Sequence, residues 1–104
     1  GYQQKPLDAD ALRQGWCRVV ATLGSGAPFV INADAALDIA WPGAGTRLHR
    51  ELRSGRRYFL HVASGAVELA GKTLEGGDAA MLSSEALLDL NVLDAAQLLL
   101  FDLP

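Results

Sequence analysis

From Trp16 to Leu103 the apolar residues come in short runs, each closed by a turn signal after roughly eight to twelve residues. No stretch keeps the i, i+3, i+4 spacing of a long amphipathic helix, so the pattern predicts strands. The runs cover residues 16–23, 29–32, 37–41, 47–52, 57–63, 66–70, 73–74, 79–82, 87–93 and 97–103. Between them stand Gly24-Ser25-Gly26, Pro42-Gly43-Ala44-Gly45, Ser54-Gly55, Ser64-Gly65, Gly71-Lys72 and Gly76-Gly77-Asp78, the residue types that turns require. Many short strands at this spacing predict an all-β sandwich or barrel. Ahead of them, residues 7–14 allow a turn of helix behind Asp8 or Asp10. The polar opening from Gly1 to Pro6 reads as a linker or an arm.

Side chains alternate across a strand, so parity assigns faces. In 87–93, Leu88, Leu90 and Val92 are apolar while Asp89 and Asn91 are polar, which points the even set inward. In 57–63, Tyr58, Leu60 and Val62 alternate with Phe59, His61 and Ala63, and both faces are apolar. The outer face with Phe59 and His61 is therefore expected to meet a helix, the arm or a partner rather than water. Arg50 shares a face with Leu48 and Leu52, so parity turns a guanidinium toward the lumen. There it either keeps its head in water at the barrel mouth or meets a carboxylate or an anionic ligand. With Tyr58 on the same face, Arg50 is a candidate for a lumenal small-molecule site.

At 104 residues the chain fits one domain, and its apolar half supplies a core. The net charge of −3 and the mixed character of 47–57, the densest basic stretch, leave no stripe for neutralising phosphates, so no nucleic-acid partner is expected. Cys17 is the single cysteine, which excludes an intrachain disulfide and a thiolate cage, and its apolar surroundings suggest a small core residue. No run approaches the roughly 18–20 apolar residues of a membrane helix, so no membrane partner is expected and the cytoplasm is the simplest compartment. The first residue is Gly1 and not Met, which suggests a piece of a longer protein.

The segment from Gly65 to Leu74, followed by Gly76-Gly77-Asp78-Ala79, resembles the central hairpin of a cupin, in which glycine turns bracket a short strand. Gly1-Tyr2-Gln3-Gln4-Lys5 is similar to the interdomain linker of bacterial pirin-like proteins of the quercetin-dioxygenase type. Gly55-Arg56-Arg57 and the closing Leu99-Leu100-Phe101-Asp102-Leu103-Pro104 are similar to their carboxy-terminal cupin. The resemblance implies a cupin-type double-stranded β-helix, or jelly-roll barrel, of short antiparallel strands. It divides the chain into an arm over residues 1–14 and a cupin over 15–104. It also implies a two-domain parent whose amino-terminal cupin, absent here, holds a divalent metal and in some relatives oxidises flavonols such as quercetin.

A metal cupin places two histidines one residue apart, a glutamate shortly after, a glycine seven beyond the glutamate, and a third histidine after the Gly-Asp turn. Setting the glycine at Gly65 puts the glutamate position at Tyr58 and the third histidine at Leu88. The paired histidines fall near Glu51 or Leu52 and Arg53 or Ser54. No expected ligand is present, so no metal or other cofactor is expected in this chain. His49 and His61 both carry outward parity, which opposes convergence on one cavity. Ser54, Ser64, Ser83 and Ser84 lack a nucleophile pattern, and Glu68, Glu75, Asp78 and Glu85 read as solvent-facing or turn residues. No catalytic residue is assigned. The resulting expectation is a non-catalytic accessory cupin packed on an amino-terminal metal cupin through Phe59 and His61. Two alternatives stay open: a small-molecule barrel using Arg50 and Tyr58, and an interaction or homodimerisation module.

Overall fold

The computed structural model describes residues 8–22, 27, 29–31, 34–83 and 86–104. One short helix, α1 (Ala9–Gln14), precedes eight strands: β1 (Cys17–Thr22), β2 (Phe29–Ile31), β3 (Ala36–Ala40), β4 (Arg47–Glu51), β5 (Arg57–Leu69), β6 (Lys72–Glu75), β7 (Ala79–Leu82) and β8 (Leu87–Leu103). The linker positions before Leu7, Leu7 itself, and the turn at Gly24-Ser25-Gly26 lie outside the described residues, as do Ser84 and Glu85.

Asp8 caps α1, its Oδ1 accepting from the backbone N–H groups of Asp10 (3.0 Å) and Ala11 (3.3 Å), which satisfies donors that a helix start leaves unpaired. Leu12 is buried, and the Trp41 N–H donates to its carbonyl at 2.8 Å. Residues 9–14, grouped with the arm by sequence, are thus fastened to the end of β3.

Two strands are longer than the turn signals suggested. Residues 57–63 and 66–70 were expected to separate at Ser64-Gly65, but β5 runs through it with register shifts from Val62 to Val67. Likewise β8 is continuous where 87–93 and 97–103 were expected to be separate. The reason is mutual: β5 and β8 pair along nearly their whole lengths, so both bend together without losing the ladder. At the bend Gly65 has φ +83, and its backbone lies directly against Ala95 and Ala96. The β5–β6 turn also sits one residue earlier than expected. Leu69 pairs with Lys72 across Ala70 and Gly71, both at positive φ (51 and 79), the backbone of a two-residue type I′ turn.

The bend divides the pairing into two sheets. In one, β2, β1, β3, the second half of β8, the first half of β5 and β7 lie side by side; in the other, β4, the first half of β8, the second half of β5 and β6. All described pairings are antiparallel except β1 with β2. Between the sheets Tyr58, Leu60, Val62, Leu88, Leu90, Val92, Leu98 and Leu100 form the buried core, as inward parity required of the first six.

Candidate functional site

Two surfaces stand out, on opposite faces of the larger sheet. The inner face carries charge at one end of the barrel. Asp38 on β3 and Asp102 on β8 point inward, in line with Ala36 and Ala40 and with Leu98 and Leu100, and are only 2 % and 1 % exposed. Buried carboxylates need partners. Arg18 on β1 chelates Asp38, with Nε to Oδ1 at 2.9 Å and Nη2 to Oδ2 at 3.3 Å. Arg50, on β4 of the opposite sheet, reaches across to Asp38 Oδ2. Asp102 accepts from Arg56 Nε (2.7 Å) and Arg53 Nη2 (3.2 Å), and Arg18 Nη2 lies 3.9 Å from it. Arg56 also donates to Asp34, at 2.7 Å to Oδ2 and 3.2 Å to the carbonyl. The Tyr58 hydroxyl accepts from the Arg53 N–H at 2.9 Å.

Burial raises the pKa of Asp102, but hydrogen bonds from Arg56 and Arg53 outweigh it and hold the carboxyl below its ordinary value. The arginines respond in kind: Arg18 is held more basic chiefly by Asp38, and Arg53 by the Tyr58 hydroxyl and then Asp102.

Of the lumenal pair named from sequence, Arg50 resolves to the carboxylate alternative, and Tyr58 is buried with its hydroxyl turned to Arg53. Neither lines either of two open depressions among the described residues, one walled by Trp41, Ser64 and Gln97 and the other by Glu68, Lys72 and Asp89. Asp38, Asp102, Arg18, Arg53 and Arg56 were not singled out from the sequence. The available signal was inward parity of Asp102 with Leu98 and Leu100.

The cluster adjoins the positions to which the resemblance assigns the cupin ligands. Tyr58, at the glutamate position, is the cross-strand partner of Asp102, and Leu88, at the third histidine position, is the partner of Arg50. Tyr58, Leu88 and Leu52 are buried without an imidazole or carboxylate, and the alternatives Glu51, Arg53 and Ser54 are exposed. These residues do not fit a divalent ion. No cluster of three or more metal-ligating side chains occurs among the described residues. His49 is exposed, with Nδ1 3.5 Å from Asp89 Oδ1.

The outer face of the same sheet is apolar. One row of cross-strand partners runs Val20, Leu37, Phe101, Phe59, Met81 across five strands. The next runs Cys17, Ile39, Leu99, His61, Ala79. Phe59 and Phe101 stack at a tilt, centroids 6.3 Å apart, and Met81 is 67 % exposed. Cys17 therefore sits half-buried on the outer face and not in the core, and burial, then Asp8 and Asp38, push its thiol pKa up, away from a reactive thiolate.

Comparison with known proteins fits this architecture. No functionally curated protein sequence matches the chain significantly. Among solved structures, YhhW from Escherichia coli superposes with a TM-score of 0.85 at 21% identity, over 96% of this chain and 42% of that one. Bacterial pirin YhhW in complex with nickel(II), also from Escherichia coli, gives 0.80 at 20% identity, over 86% and 39%. Quercetin 2,3-dioxygenase from Acinetobacter baumannii gives 0.72 at 16%, over 85% and 32%. The chain spans less than half the length of each. At these identities the likeness establishes the cupin fold. The profile of the quercetinase C-terminal cupin domain matches residues 18–103, nearly the whole chain, and the chain belongs to that pirin-type family.

Proposed function

We propose that this chain is a non-catalytic accessory cupin that packs, through the outer face of its larger sheet, on a metal-binding cupin elsewhere in the same polypeptide. The observation that carries the reading is the pair of rows through Phe59 and His61, each crossing five strands, with His61 their single polar member. A sheet face this continuous in apolar side chains is stable when covered. The similar structures are more than twice as long as the part this chain matches, which supports a further domain as the occupant, and the resemblance makes that domain a cupin. Residues unsuited to metal at the ligand positions support assigning any oxidation of a flavonol to that other domain. This chain then supplies surface area and rigidity and no reacting group.

Two measurements test the reading. The purified chain, reconstituted with iron, copper, manganese or nickel, is expected to hold no stoichiometric metal and to leave quercetin unchanged; tight metal at one per chain, or turnover, would contradict it. Phe59→Asp is expected to abolish association with the metal cupin supplied in trans, with an unchanged circular dichroism spectrum. Association that survives Phe59→Asp overturns the docking surface, and self-association of the isolated chain by light scattering reassigns that face to a homodimer.

A further inference from the structure

The arginine cluster at the barrel end contains more charge than its own ion pairs neutralise. Among the described residues, Arg18, Arg50, Arg53 and Arg56 face Asp34, Asp38 and Asp102, four cations against three anions, in a chain whose net charge is −3. The surplus is concentrated. Arg50 and Arg56 are the more enclosed, with side chains 22 % and 13 % exposed, whereas Arg18 and Arg53 are 40 % and 67 % exposed.

Those two exposed guanidiniums are held from below. Arg18 is chelated by Asp38 through Nε and Nη2. Arg53 is fixed by Asp102 at Nη2 and by the Tyr58 hydroxyl on its backbone N–H. Both Nη2 atoms lie within 4 Å of the same oxygen, Asp102 Oδ2, so one small anion spans the two forks. Arg53 also repels Arg18 and lowers its pKa against its other partners. An oxyanion between them relieves that repulsion and meets a planar donor geometry already paid in conformational entropy.

We propose that Arg18 and Arg53 form an oxyanion site at the mouth of the barrel, for the carboxylate or phosphate group of a small molecule. The site does not depend on the accessory-domain reading, because it lies on the inner side of the sheet whose outer side docks.

The experiment is a titration of the isotope-labelled chain, followed by the guanidinium Nε–H resonances of its arginines. Sodium phosphate and sodium acetate are added in separate arms at constant ionic strength, with chloride as the baseline. Saturable shifts confined to the cluster are expected in at least one arm, and the tighter arm assigns the site to phosphate or to carboxylate. Arg53→Gln is expected to weaken the tighter arm by about tenfold or more, the loss of one charge-assisted hydrogen bond. Its thermal midpoint serves as a check that Asp102 keeps Arg56. Arg53→Lys should recover only part of the affinity, because an ammonium lacks the fork. Arg47→Gln, which breaks the exposed pair with Asp89 on the other sheet, should change nothing. Shifts that fail to saturate in both arms, or that respond equally to Arg47→Gln and Arg53→Gln, overturn the proposal.

Discussion

Gly65→Ala is the sharpest test of how the two sheets are joined. Gly65 sits where β5 and β8 bend together, at φ +83, and a Cβ added there would come 2.6 Å from Ala96 Cα and 2.8 Å from the carbonyl carbon of Ala95. These are backbone atoms of the paired strand, so no side-chain rotamer relieves the clash. The left-handed conformation alone costs an L-residue about 1–2 kcal/mol, and forcing packed backbone apart adds about 1–3 kcal/mol. The expected loss is therefore about 2–5 kcal/mol, a large share of a small domain's stability. Gly55→Ala and Gly71→Ala separate the two contributions. Both positions have positive φ, +78 and +79, but nothing lies within 4 Å of an added Cβ. They should lose only the conformational part, about 1–2 kcal/mol. Urea unfolding followed by tryptophan fluorescence gives the midpoints and slopes. Equal losses at Gly65, Gly55 and Gly71 would refute the close approach of β5 to β8, and with it the account of why the strands stay continuous.

Further outcomes follow from the charged end and from β8. Asp102 has a folded pKa below its unfolded value of about 3.9, so its contribution is fully present above that value and lost as pH falls through the folded one. Urea midpoints should be flat from neutrality to about pH 5 and fall below about pH 4. Asp102→Asn, which leaves Arg53 and Arg56 without their carboxylate, should cost about 3 kcal/mol at pH 7 and flatten the acid limb; an unchanged limb would show that another group controls it. Along β8, Leu100→Ala removes a fully buried side chain and should cost about 2–5 kcal/mol in the isolated chain. Its neighbour Phe101→Ala, on the outer face, should cost about 1 kcal/mol in the isolated chain and more once the metal cupin is docked. Losses in the reverse order by the same urea assay would mean the faces are exchanged.

Parity was readable where one face meets water. Leu88, Leu90 and Val92 stood out because Asp89 and Asn91 separate them, and all three are buried. The same logic misleads on β3, where Leu37 and Ile39 look like the core set. Those two lie half-buried on the outer face, while Ala36, Asp38 and Ala40 face inward. Turn residues misled in a related way, since Ser64-Gly65 marks a shared bend and not a break. The ion cluster was beyond local pattern for a different reason. Its bonds join residues 12, 20, 46 and 49 positions apart, and only the sheet register and the meeting of two sheets bring them together. Arg50 alone was conspicuous, because it interrupts the apolar set of Leu48 and Leu52.

The larger sheet thus inverts the usual arrangement at one end, with carboxylates inside and aromatic side chains outside. The inversion is self-consistent. An inward Asp38 is tolerable because Arg18 and Arg50 approach it from two strands in two sheets, and an outward Phe101 is tolerable because Phe59 and Leu37 flank it in register. Neither feature improves the stability of an isolated barrel as much as apolar residues inside and polar ones outside would have done. Under the two proposals made above, both have a use: a covering surface on the outside and an anionic group at the mouth. Residues 99–102 alternate between the two surfaces, Leu99 and Phe101 on the outer face, Leu100 in the core and Asp102 under the arginines. A single strand therefore couples the packed interior to both surfaces, which makes substitutions at successive positions of β8 the most direct way to tell them apart.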